Sequence, residues 1–122
     1  MNTWCIKSKI WLELEGQPII GEGRMAMLEA IDLNNSIMRA SQQTGISYRR
    51  IRGAIRDMEK AIGQPLVQTY RGGQEGGGAE LTPLALDLNL VFSQLSTGFQ
   101  ENVDERLRII QCSERLAHFA IP

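Results

Sequence analysis

The run Ser47-Tyr48-Arg49-Arg50-Ile51-Arg52-Gly53-Ala54-Ile55-Arg56 decides how the rest of the 122-residue chain is read. Wound as a helix at about 100° per residue and continued to Gly63, it separates into two faces. Ile51, Ile55, Met58 and Ile62 make an apolar stripe, and Arg49, Arg52, Arg56 and Lys60 make a basic stripe nearly opposite. Gly53 sits on the basic side. There it costs roughly 1 kcal/mol of helix stability relative to Ala, and it leaves a low surface that another backbone can approach. Arg49, Arg50 and Arg52 occupy the first turns, where the helix dipole favours acids and each misplaced charge costs on the order of 0.3–1 kcal/mol. A helix that must meet a polyanion N-terminus first has a reason for this placement, and a recognition helix enters the DNA major groove in that way. A solvated basic face is the plainer explanation, so the neighbouring residues have to discriminate.

Upstream, Ser36 is a good N-cap, and a short helix follows with Ile37, Met38 and Ala40 expected inward. Thr44-Gly45 stops it, with Gly suited to a left-handed C-cap, and Ser47 caps the basic helix. Helix, glycine turn and basic helix make a helix-turn-helix pattern, although ordinary helical hairpins share it. Downstream, Gly63 and Pro65 end the basic helix. Leu66 to Tyr70 reads as a strand, 71–78 as a glycine-rich loop and Ala79 to Thr82 as the return strand, the layout of a wing. Arg71, Gly72 and Gly73 begin a loop that can lie along a phosphate backbone. It is no nucleotide-binding loop, since no Gly-Lys-Ser/Thr follows.

Further out, Ile6 to Glu15 alternates in a period of two and reads as a strand. Gly16-Gln17-Pro18 is expected to turn, and Ile19-Ile20 to return. Gly21 and Gly23 precede a helix expected from about Arg24 to Leu33, with Met27, Leu28 and Ile31 on its core face. Thr82 as N-cap and Pro83 at the first helical position start a long helix. Leu84, Leu88, Val91, Leu95, Phe99, Val103, Leu107 and Ile110 mark its stripe, with Gly98 as a candidate kink. That stripe is longer than a small winged domain needs for its own core. It predicts packing against a second copy, with Leu84, Leu88, Val91, Leu95 and Phe99 at the dimer interface. The alternative is a helix folded back over the N-terminal hairpin. The expected fold class is mainly α with small β hairpins: a winged helix-turn-helix over residues 1–82 and a helical dimerisation extension over residues 83–122.

Composition is that of a globular protein, with 43% hydrophobic and 22% charged residues. The net charge of −1 hides an asymmetry. From Leu33 to Arg56 there are five arginines and no acid, whereas from Thr82 to Pro122 there are five acids and three bases. Cys5 and Cys112 lie far apart and His118 is the sole histidine, which argues against a zinc site and for buried or semi-buried thiols in a reducing compartment. No signal peptide and no apolar run of about 20 residues is visible, so a cytoplasmic location is expected and a membrane partner is not.

The run from Lys9 to about Leu90 resembles the N-terminal DNA-binding domain of ModE-type molybdate-responsive transcription regulators. The resemblance is carried by Lys9-Ile10-Trp11-Leu12-Glu13 with Gly16 and Pro18, and by Gly21-Glu22-Gly23-Arg24 with Leu28-Glu29-Ala30-Ile31. It continues through Ser47-Tyr48-Arg49-Arg50, Gly63-Gln64-Pro65-Leu66-Val67, the split glycine wing, and Leu81-Thr82-Pro83-Leu84. Gly63, Leu66 and Leu81-Thr82 are shared with the wider LysR-type winged helices. The resemblance implies a dimeric winged helix-turn-helix on operator DNA, with Ser47 to Arg52 in the major groove. It also implies dimer contacts from the long helix and the N-terminal strand region. Arg39 stands where relatives usually carry a small residue, and Ala85 replaces a usual Gly. The family's C-terminal pair of small β-barrels, which hold molybdate, has no counterpart in these residues, so molybdate binding by this chain is not expected and no cofactor is implied.

The expected function is a sequence-specific DNA-binding transcription regulator acting as a homodimer on a pseudo-palindromic operator. Arg49 and Arg50 are candidates for base edges, Ser47 and Tyr48 for phosphates or bases, and Arg39, Arg52, Arg56 and Arg71 for phosphates. The alternative is a protein-interaction module that pairs with a full-length regulator carrying the sensor domain. An enzyme is not expected: no nucleophile–base pair, carboxylate constellation or cofactor loop is present.

Overall fold

The computed structural model describes residues 3–71 and 77–112. The order of elements is β1 (Trp11–Leu14), β2 (Gln17–Gly21), α1 (Glu22–Asn34), α2 (Ile37–Thr44), α3 (Tyr48–Ile62), β3 (Val67–Tyr70), β4 (Gly78–Leu81) and α4 (Pro83–Cys112). The strands form two separate antiparallel hairpins, β1–β2 and β3–β4. This is the mainly helical winged helix-turn-helix expected, with its long final helix.

The first hairpin differs in detail from the expected one. Only Trp11–Leu14 of the alternating run is paired. The turn is Glu15-Gly16, both with positive φ (50° and 80°), which is the two-residue geometry that suits strand twist. Gln17 and Pro18 therefore belong to β2. Leu12 pairs with Ile20 but Glu13 pairs with Pro18, so Ile19 is an extra residue. That irregularity explains why the consecutive residues Ile19 and Ile20 are both buried, which strict alternation forbids. Past the bulge the alternation is lost, and Leu14, which shares a face with Leu12 in a strict period of two, is exposed.

The helix α1 begins two residues before the expected Arg24, with Glu22 in the first turn, where the dipole favours it. It buries Met27, Leu28, Ala30 and Ile31 and ends at Asn35 in the left-handed conformation. In α2, Ile37 and Ala40 are buried as expected, but Met38 is exposed. The short helix has one inward face, and Met38, 100° from Ile37, falls outside it. Along α3, Ile51, Ile55 and Met58 are buried, which fixes the basic stripe toward solvent.

The long helix α4 runs unbroken through Gly98. Its fully covered residues are Ala85 and Phe92, and Phe92 lies off the stripe read from the sequence. It is the largest fully buried side chain among the described residues. Leu84 and Leu88 are half buried against the chain's own core, whereas Val91, Leu95 and Phe99 are exposed. Near the middle of α4, the Gln100 amide donates to Ile6 O at 3.1 Å and accepts from Ser8 Oγ at 3.0 Å. The segment before β1 is thus laid along the helix, in part the folded-back arrangement considered from the sequence. Cys5 and Cys112 are exposed rather than buried, because both lie on this periphery, away from the core. No helix is long and apolar enough to cross a membrane among the described residues.

Candidate nucleic-acid interface

Two serines start the two helices of the motif. Ser36 Oγ accepts from the Arg39 N–H and Ser47 Oγ accepts from the Arg50 N–H, both at 3.1 Å. Each cap satisfies one of the donors a helix start leaves open. The Ser47 hydroxyl keeps its own hydrogen for an outside acceptor, and the remaining first-turn N–H groups of α3 point the same way. No acid stands in that turn to neutralise them.

The turn between α2 and α3 is held by its own side chains. Gly45 takes φ 75°. Thr44 Oγ1 donates to Ala40 O at 2.8 Å and accepts from the Ile46 N–H at 3.2 Å. Ser41 Oγ donates to Ile46 O at 2.6 Å. With Ala40 fully buried at the crossing, the second helix leaves at one angle.

The wing is tied to both helices it must serve. One oxygen of Glu59, on α3, accepts from the Leu66 N–H at 2.7 Å and the Val67 N–H at 3.3 Å. The buried Thr82 donates its hydroxyl to Pro65 O at 2.9 Å and accepts from the Ala85 N–H at 3.3 Å, while its own N–H donates to Leu66 O. At the other end, the Ala79 N–H donates to Asn35 O at 3.0 Å, which pins β4 to the corner between α1 and α2. From the sequence Thr82 is read as the end of the return strand and a helix cap, not as a tie between β3 and α4. Glu59 and Asn35 are missed, because their partners lie 7 to 44 residues away and leave no local signal.

Arg39, Tyr48, Arg49, Arg50, Arg52, Arg56 and Arg71 are all exposed. None of these six guanidinium groups has an ion-pair or hydrogen-bond partner among the described residues, whose single ion pair joins Arg108 to Glu105. Six unpaired cations distributed over α2, α3 and the wing base make a field that attracts a polyanion. Gly72 and Gly73 lie outside the described residues. Among the described residues, no group of three His, Cys, Asp or Glu side chains comes together to hold a metal ion.

No protein-family model matches the chain. The "Molybdenum transport protein ModE" of Azotobacter vinelandii is 30% identical over 126 residues, which cover 97% of this chain and 47% of that protein. The "DNA-binding transcriptional dual regulator ModE" of Escherichia coli K12 is 35% identical over 71 residues, covering 58% of this chain and 27% of that one. The chain therefore spans about half the length, or less, of these relatives. A solved structure described as "BenM_DBD/benA site 1 DNA Complex" superposes with a TM-score of 0.51 at 18% identity, over 72% of this chain and 93% of that one. At that identity the likeness is one of fold. The chain thus has a winged helix-turn-helix fold, and nearly its whole length is similar to part of the ModE-type, molybdate-related regulators.

Proposed function

We propose that the chain is a sequence-specific, DNA-binding transcriptional regulator that acts as a homodimer on a pseudo-palindromic operator in the cytoplasm. The observation that carries the proposal is the start of α3: a serine-capped helix N-terminus without acids, flanked by unpaired Arg49 and Arg50. In this reading α3 enters the major groove. Arg49 and Arg50 contact base edges, guanine O6 and N7 being the bidentate acceptors that suit a guanidinium. Ser47 and Tyr48 contact phosphates or bases at the helix start. Arg39, Arg52, Arg56 and Arg71 neutralise phosphates, with Gly72 and Gly73 of the wing running beside the strand. The Escherichia coli ModE relative is named as DNA-binding and the BenM fragment is described in a DNA complex, which supports this assignment.

Residues 1–82 are the DNA-binding unit and 83–122 the dimerising extension. The exposed Val91, Leu95 and Phe99 supply the contact between copies, while Leu84 and Leu88 serve mainly the core of their own chain. Two-fold symmetry requires half-sites about one helical turn apart or a multiple of it. The chemistry is binding, not catalysis.

Arg49→Ala or Arg50→Ala is expected to cost about 1–3 kcal/mol of operator affinity and to relax specificity, whereas Arg56→Ala weakens binding to all sequences alike. Wild-type operator binding by the first two variants would remove the assignment. A second reading has α4 pair with a full-length regulator. The same exposed apolar face favours it, since that face fits a relative's helix as well as its own copy. Homodimeric operator binding by the isolated chain counts against this reading.

A further inference from the structure

A cleft of about 610 Å³ opens between the starts of α2 and α3 and the wing. Its lining includes Met38, Tyr48 and Tyr70, which are 54%, 42% and 51% exposed, together with Arg52 and Arg71. No acid lines it. Met38 and Tyr70 were not among the residues the arginine pattern picks out. Neither is needed to complete the core, and both stand exposed at one opening beside two unpaired guanidinium groups.

The floor is shaped for close approach. A Cβ built on Gly78 would meet the Tyr70 hydroxyl at 2.7 Å and Cζ at 2.8 Å, so the tyrosine ring lies directly against this glycine. Gly77 has φ +114°, and a Cβ there would sit 2.5 Å from Tyr70 O. The two glycines let Tyr70 lie against the wing base at the mouth of the cleft.

Apolar and cationic side chains thus line one cleft. A DNA strand presents the matching pattern, deoxyribose faces between phosphates. A duplex bound by α3 in one groove and the wing in the next must pass one strand between those elements. We propose that this cleft is the seat of that strand, with Met38, Tyr48 and Tyr70 packing on its sugars and Arg52 and Arg71 pairing with its phosphates. The proposal rests on the operator-binding reading above. It adds Met38 and Tyr70 as binding residues and gives them a non-electrostatic role.

The two kinds of contact respond differently to salt. A lost phosphate contact lowers the slope of log affinity against log salt by about one, because fewer counterions are released. A lost sugar contact lowers affinity at every salt concentration equally. Binding of the full chain to an operator duplex and to a random duplex is therefore titrated at several salt concentrations. Met38→Ala and Tyr70→Ala are each expected to weaken both complexes about five- to tenfold, the scale of covering about 40–55 Å² of apolar surface, with the slope unchanged. Arg52→Ala and Arg71→Ala are expected to reduce the slope by about one each. Tyr70→Phe should bind as wild type, and Gly78→Ala, which displaces the ring, should resemble Tyr70→Ala. Circular dichroism on each variant separates these effects from misfolding. Wild-type affinity in Met38→Ala and Tyr70→Ala alongside wild-type affinity in Gly78→Ala would overturn the seat. So would a loss confined to one base pair. If either occurs while Arg49→Ala still loses the operator, the seat alone fails. A wild-type chain that binds no duplex overturns the operator reading as well.

Discussion

Replacing Glu59 by alanine tests how the wing is held to the recognition helix. The carboxylate accepts two backbone N–H groups where β3 begins, at 2.7 Å from Leu66 and 3.3 Å from Val67. Leu66 is fully buried, so its N–H cannot turn to water when the acceptor goes. An orphaned buried donor costs about 1–3 kcal/mol, and the bond to Val67, longer and on a half-buried residue, adds less. The expected loss for Glu59→Ala is about 2–3 kcal/mol, a large share of the 5–15 kcal/mol typical of a domain. In urea the midpoint should fall by about 1 M with an unchanged slope. Glu59→Gln keeps an acceptor oxygen without the charge and should lose about half as much. Because β3 leads to Arg71, the Ala variant should also bind operator more weakly at temperatures where it remains folded. A Glu59→Ala protein within about 0.5 kcal/mol of wild type would refute the reasoning, since that is the range of an ordinary surface change.

Other outcomes follow from single features. Phe92→Ala, which empties the largest buried site, should cost about 3–5 kcal/mol by urea titration, unlike truncation of an exposed stripe residue. Leu95→Glu combined with Phe99→Glu should leave the fold intact by circular dichroism and give a monomer by analytical ultracentrifugation; a persisting dimer would contradict the proposed interface. Gly63→Ala meets no atom within 4 Å but must hold φ +82°, so its cost should be purely conformational, about 1–2 kcal/mol in a thermal or urea melt.

The motif was legible because its boundaries are written in local chemistry. Ser36, Gly45, Ser47, Gly63 and Thr82-Pro83 each fix a helix end through an atom of their own or a neighbouring residue, and each stands where it was expected. The basic stripe followed from the apolar one, since burying Ile51, Ile55 and Met58 leaves the arginines outside. Features that depend on distant partners were not legible. The bulge at Ile19 arises from pairing with β1. Met38 and Leu14 are exposed because the surrounding elements do not reach them. On α4 the apolar residues wrap more than one face, and periodicity alone did not show that Ala85 and Phe92 face the core while Val91, Leu95 and Phe99 remain outside. Glu59 looked like one charge among many until Leu66 and Val67 came beside it.

The central claim is that the chain reads a two-fold-symmetric DNA site through α3. The most direct test is selection of bound sequences from a pool of random duplexes by the purified chain at two salt concentrations. The account predicts enrichment of a pseudo-palindrome whose half-sites lie about one helical turn, or a multiple of it, apart, bound with a steep loss of affinity at the higher salt. Recovery of an unselected pool, or of no DNA at either concentration, would contradict it.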